Sequence, residues 1–175
     1  GWSFDPVLAA SAELATATGG TLHVIKVFVP EPCKITNIVM WLAKKAATLT
    51  AAECGIGLFQ EGTRKLLSAQ SSSVAELITA WEGTDKAVIT TALATPQNVG
   101  AGHVLVAWYF NGTTGPSFAI APKGTNEEGI VNVGLTENSS RFATGDTGLT
   151  TALPSTINSA SHMTVASTPY WVGVS

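Results

Sequence analysis

The sequence predicts an all-β protein, an antiparallel β-sandwich of about eight strands, jelly-roll-like and with little helix. Three observations carry this expectation. Short β-branched and aromatic runs recur along the chain, and clusters of Gly, Pro, Asn and Ser punctuate them. Almost no stretch has the apolar period of an amphipathic helix. At 175 residues with 45% apolar composition, the chain is long enough for a single domain around one core, spanning residues 1–175.

The elements follow in order. Pro6 to Ala17 is Ala-rich but makes no apolar stripe, and Gly19-Gly20 ends it. Thr21 to Val29 (TLHVIKVFV) is the strongest strand, stopped by Pro30 and Pro32. In Lys34 to Leu42, Ile35, Val39 and Trp41 alternate onto one face, Ile38 and Met40 onto the other. Lys44 to Glu53 leaves room for a short helical turn. Cys54 to Gln60 and Arg64 to Ser68 read as a hairpin about Glu61-Gly62. Lys86 to Leu93 alternates, with Ala87, Ile89, Thr91 and Leu93 on one face, and Pro96 to Gly102 reads as a loop. His103 to Phe110 is apolar nearly throughout, as a strand buried on both faces would be. Asn111-Gly112 supplies a tight turn, and Phe118 to Ala121 a short strand. From Pro122 to Ser161 the chain is loop-like, apart from Ile130 to Leu135 and Arg141-Phe142. Pro169 to Val174 closes it as a strand.

Composition narrows the function classes. Charged residues are 12% of the chain, about half the usual ~25%. The net charge is −3, and no basic cluster forms the concentrated face that nucleic acid requires. Mean hydropathy is +0.28, yet no apolar run approaches the ~20 residues of a membrane-spanning helix, so neither nucleic acid nor membrane insertion is expected. No basic segment followed by an apolar run opens the sequence, so no export signal is read. Cys33 and Cys54 lack zinc-site spacing and read as two buried thiols; a bridge would need Cα atoms ~4.4–6.8 Å apart.

No catalytic constellation emerges. His23, His103 and His162 are far apart, and the first two sit within strands, where a structural role is expected. There is no G-x-S-x-G elbow, phosphate loop or dinucleotide fingerprint. Neither catalytic residues, nor a metal, nor a cofactor is therefore expected. The tryptophans say more. Trp108 and Trp171 lie in apolar strands and read as core. Trp81 precedes the polar turn Glu82-Gly83-Thr84-Asp85, where its ring could face a sugar while Glu82 and Asp85 accept bonds from hydroxyls. The alternative is that Trp81 packs over the sandwich edge. A second candidate is the loop Lys123 to Ser140, because binding residues concentrate on loops held by a scaffold.

Trp2-Ser3-Phe4-Asp5-Pro6 and Gly20 to Val27 resemble the entry of the C-terminal domain of actinobacteriophage minor tail proteins, which are fibre-like. The resemblance continues in order through Leu49-Thr50-Ala51, Gly57-Leu58-Phe59, Ala80-Trp81, Gly102 to Ala107 and Asn111 to Thr114. It then takes in Pro116 to Ala119, Arg141 to Gly145, Leu153-Pro154 and Tyr170-Trp171, so it covers nearly the whole chain. Its specificity lies in joint order and spacing, not in one motif. It implies a C-terminal piece of a longer tail protein: a virion module near the host-facing end, β-sandwich in fold and homotrimeric. Such a module would contact a host bacterial surface glycan or receptor. The sequence departs from the pattern at Cys33, Cys54 and His103.

The leading expectation is therefore a non-enzymatic tail module adhering to a host-surface glycan. Weak single contacts would gain ~10²–10⁴ in avidity from many copies on one virion. The alternative is a structural virion protein, a head fibre or decoration domain, without receptor binding. A cell-wall glycan hydrolase ranks third, because no paired acids or nucleophile are readable.

Overall fold

The computed structural model describes residues 1–3, 5, 19–121, 140–157, 164–165 and 168–175. The described strands are β1 (His23–Val29), β2 (Cys33–Lys44), β3 (Ala47–Gln60), β4 (Leu66–Ala69) and β5 (Ala87–Val99). They continue with β6 (Gly102–Thr114), β7 (Ser117–Phe118), β8 (Phe142–Thr144), β9 (Thr164–Val165) and β10 (Val172–Val174). One helix, α1 (Val74–Trp81), stands between β4 and β5. A larger sheet runs β4-β3-β6-β1-β8-β9, and a smaller one runs β10-β2-β5, with β7 also paired to β2. The named strand pairs are antiparallel, and the chain passes repeatedly from one sheet to the other. The all-β sandwich expected from the sequence is the architecture observed, although its described strands number ten.

The core lies between the sheets. Ile25, Val27, Ile56, Leu58, Val106 and Trp108 of the larger sheet meet Ile38, Met40 and Leu42 of the smaller one. Fully burying each such aliphatic side chain contributes roughly 1.5–3 kcal/mol. The larger sheet is also covered on its outer face. There Leu22, Val24, Leu105, Ala107 and Tyr109 pack with Ile157, and Leu149 and Leu153 close over them. This double burial explains the unbroken apolar run of β6, where Val104 to Phe110 are all buried. Leu153 comes so near the sheet that a Cβ at Gly57 would lie 2.8 Å from it.

Several local expectations are revised. In β2, Ile35 and Ile38 are both buried although three positions apart, because the pairing with β5 shifts between Ile35 and Asn37. That irregularity swaps the inward face, leaving Val39 and Trp41 half-buried. The Lys44 to Glu53 stretch is no helical turn but the end of β2 and the first half of β3. Pro96 lies inside β5, in the stretch where that pairing shifts, so its missing N–H breaks no ladder bond to β2. Asn111-Gly112 continues β6 because Asn111 lacks the positive φ of a type I′ turn. Gly112 is needed for closeness: a Cβ there would lie 2.7 Å from the Thr48 carbonyl oxygen.

Both cysteines are free thiols; Cys54 is buried as expected, but Cys33 at the start of β2 is exposed. Trp171 is half-buried, its ring over Gly173. The Pro6 to Ala17 and Ile130 to Leu135 readings, and His162, lie outside the described residues.

The first three residues stitch the two sheets together. Trp2 pairs with Phe28 of β1 and with Gly173 of β10. Ser3 N donates to the Val172 carbonyl, and Val174 N donates to the Gly1 carbonyl, both at 2.8 Å.

Candidate functional site

The Trp81 turn is built differently from the sugar platform expected of it. Helix α1 begins at an S-x-x-E sequence: the Ser73 hydroxyl accepts from Glu76 N, and the Glu76 carboxylate accepts from Ser73 N at 2.7 Å. From that start, Leu77 and Trp81 fall one turn apart on the face turned to the core. Trp81 is 0% exposed, edge-on to Trp108 and Phe118 with ring centroids 5.9 and 5.8 Å away. Its ring is core, as in the alternative reading, and offers no face for a sugar to stack on. The two acids brace the chain around it. Glu82 accepts from Leu49 N at 2.6 Å, and Asp85 accepts from Lys45 N at 2.7 Å. These carboxylates hold the passage from β2 into β3 against the end of the helix. The Lys123 to Ser140 candidate lies outside the described residues except for Ser140, which is buried.

An open aromatic row lies elsewhere. On β1, Lys26 and Phe28 point away from the inner core, opposite in parity to Ile25, Val27 and Val29. Phe28 is paired across the sheet with His103 of β6 on one side and with Trp2 on the other. Residues directly opposite in an antiparallel pair share a face, so Trp2, Phe28 and His103 form one transverse row. Trp2 and Phe28 are 52% and 51% exposed, and among the described residues only Val88 joins them as an exposed large apolar side chain. The Phe28 and His103 rings are tilted at 54°, 5.3 Å between centroids.

Charged groups edge this row. Lys26 Nζ lies 2.6 Å from Glu61 Oε1, and the other oxygen of Glu61 is 4.0 Å from His103 Nδ1. Glu61 sits in the β3–β4 turn predicted from sequence, which carries it over the end of β1. Lys26 N donates to the Arg141 carbonyl at 2.8 Å, bringing the Arg141 side chain alongside. Ser3, Lys26, Phe28, His103 and Arg141 line a half-open cleft of about 210 Å³. Ring faces can pack on sugar C–H groups here, while ammonium, guanidinium and imidazole groups supply hydrogen bonds at the edge.

Sequence reasoning passed over this cleft, although part of it was readable. With Lys26 facing out, the period of two puts Phe28 outside as well. The pairing of Trp2 with Phe28 joins residues far apart in the chain and has no local signal. His103, expected to be structural, keeps 43% of its side chain exposed. Among the described residues the buried histidine is His23, stacked on Trp108 at 4.5 Å, and burial lowers its pKa to about 4.

Among the described residues, no group of three His, Cys, Asp or Glu side chains could hold a metal ion, and no helix is long and apolar enough to cross a membrane. No family model matches this sequence, and no curated protein matches it.

Proposed function

We propose that this chain is a non-enzymatic adhesion module of a phage virion, at a tail-fibre tip. It would contact a host bacterial surface glycan through the row Trp2, Phe28 and His103. One observation carries the reading: two large aromatic side chains stand open on paired positions of one sheet, with Lys26, Glu61 and Arg141 nearby. A core would bury such rings, whereas a glycan-binding surface uses them together with polar groups placed for hydroxyls. The sequence resemblance to actinobacteriophage tail proteins supplies the biological setting, and trimerisation on a fibre would multiply weak contacts.

The test is labelling of actinobacterial cells by the fluorescent full chain, with competition against phage adsorption. Phe28→Ala and Trp2→Ala should each lose labelling while keeping the circular dichroism spectrum and melting temperature. Labelling that survives both substitutions overturns the reading. A chain that labels no host cell, but is needed for assembled particles, points instead to the structural virion protein.

A further inference from the structure

We propose that a second cavity, between β3 and the 149–157 segment, binds a small neutral amide with an apolar body of about one ring. Its carbonyl would accept from Gln70 and its N–H would donate to Thr151. The site stands apart from the glycan-adhesion reading, because it shares no lining residue with the cleft beside Phe28. Its shape follows from two glycines. Gly55 and Gly57 of β3 present no side chain where Leu153 lies against the strand; a Cβ on Gly55 would lie 3.1 Å from Leu153 Cγ. Leu153 therefore forms one wall, and Leu66, Ala69 and Val74 line the cavity with it. The segment carrying Leu153 is tied on both sides. Asn111 Nδ2 donates to the Leu149 carbonyl at 2.6 Å, and Leu66 N donates to the Ser155 carbonyl at 2.9 Å. A wall fixed in this way needs little reordering when a ligand enters. The cavity is half-open and measures about 210 Å³. A dry cavity of roughly 150 Å³ holds a benzene molecule, so one ring fits here with room for a short polar group.

The polar groups decide the ligand. The lining holds no Asp, Glu, Lys, Arg or His, and burial pushes the thiol of its one titratable residue, Cys54, up, which keeps it neutral. An ion would give up hydration here without a counter-charge, so a neutral ligand is selected. Gln70 Oε1 accepts from Ile56 N at 3.1 Å, which fixes the oxygen end of its amide. The Nε2 end brings two N–H groups and has no hydrogen-bond partner among the described residues. The Thr151 hydroxyl, on the exposed rim, has none among them either. A carbonyl oxygen answers Gln70, and an amide N–H answers Thr151. Apolar walls with two open polar groups are the usual make-up of a small-molecule site.

The experiment is an NMR titration of the isotope-labelled full chain with three probes. Acetanilide supplies ring and amide, isopropylbenzene a ring without hydrogen-bonding groups, and benzoate a charged ring. Acetanilide should shift Gly55, Leu153 and the Gln70 side-chain amide, and bind about fivefold tighter than isopropylbenzene, the worth of one net hydrogen bond. Benzoate should not bind. Gln70→Glu keeps an oxygen for Ile56 N but removes the donor, so it should weaken acetanilide about fivefold and isopropylbenzene far less. Ala69→Leu fills the cavity and should block both neutral probes while the circular dichroism spectrum is kept. Equal affinity of the two neutral probes, or acetanilide binding untouched by Gln70→Glu, overturns the amide assignment. Shifts at Phe28 and His103 in place of Leu153, or no binding of either neutral probe, overturn the site itself. The cell-labelling test of glycan adhesion is decided separately in each case.

Discussion

His23 sits in the inner core with its ring stacked on Trp108 and edge-on to Tyr170. Burial draws its pKa from 6.5 down to about 4, so the folded chain takes up this proton only near pH 4. The unfolded chain takes it up near 6.5. Between those values the unfolded state binds more protons, and stability rises with pH. The contribution is complete above pH 6.5 and falls away as pH drops towards 4, by roughly 3 kcal/mol in all. Urea midpoints measured from pH 8 to pH 4 should show this decline, and His23→Phe should flatten it. Trp81 is a second residue whose burial has a direct consequence. Trp81→Ala removes a ring wedged between Trp108 and Phe118, and should destabilise the fold by about 3–5 kcal/mol in chemical denaturation. Phe28→Ala, on an open face, should cost well under half of that.

Helix α1 is short enough that its ends matter. Ser73→Ala removes the capping hydroxyl and should lower stability by about 1 kcal/mol, read as a shift of the urea midpoint. Glu82→Ala leaves the partly buried Leu49 N–H without its acceptor and should cost about 1–3 kcal/mol by the same measurement. The strands were the legible elements. The β1 run, the Glu61-Gly62 turn, the alternation of β5 and the doubly buried β6 all follow from apolar period and turn residues. The helix was missed although Ser73 and Glu76 announce it, because eight residues are too few for its period to stand out. Misplacing Trp81 followed from that miss, since on a helix its ring turns inward. The Asn111-Gly112 pair misled for another reason: its glycine answers the close approach of Thr48, a contact from a distant part of the chain. The cleft was legible only as far as Phe28, because cross-strand partners are chosen by the sheet and not by neighbours in sequence.

For the whole molecule, the low charge and the resemblance to tail fibres lead us to propose a homotrimer. Light scattering of the full chain at high micromolar concentration should give three times the protomer mass, with more than ~1,000 Å² buried between copies. A monomer under those conditions would count against self-sufficient assembly. The stitching by residues 1–3 has a mechanical consequence. Gly1 is bonded to Val174, Trp2 faces Gly173, and Ser3 is bonded to Val172, so this ladder is antiparallel with residues 1 and 175 at the same side of it. A tension drawing residues 1 and 175 apart would load these rungs singly, in a peeling mode, instead of sharing the load among them in shear. Peeling would strip Trp2 from the edge of β1 before the two sheets part, dismantling half of the aromatic row while the sandwich still holds. Single-molecule stretching of the chain should therefore show an early, low-force step ahead of the main rupture, and Trp2→Ala should leave that step's length unchanged.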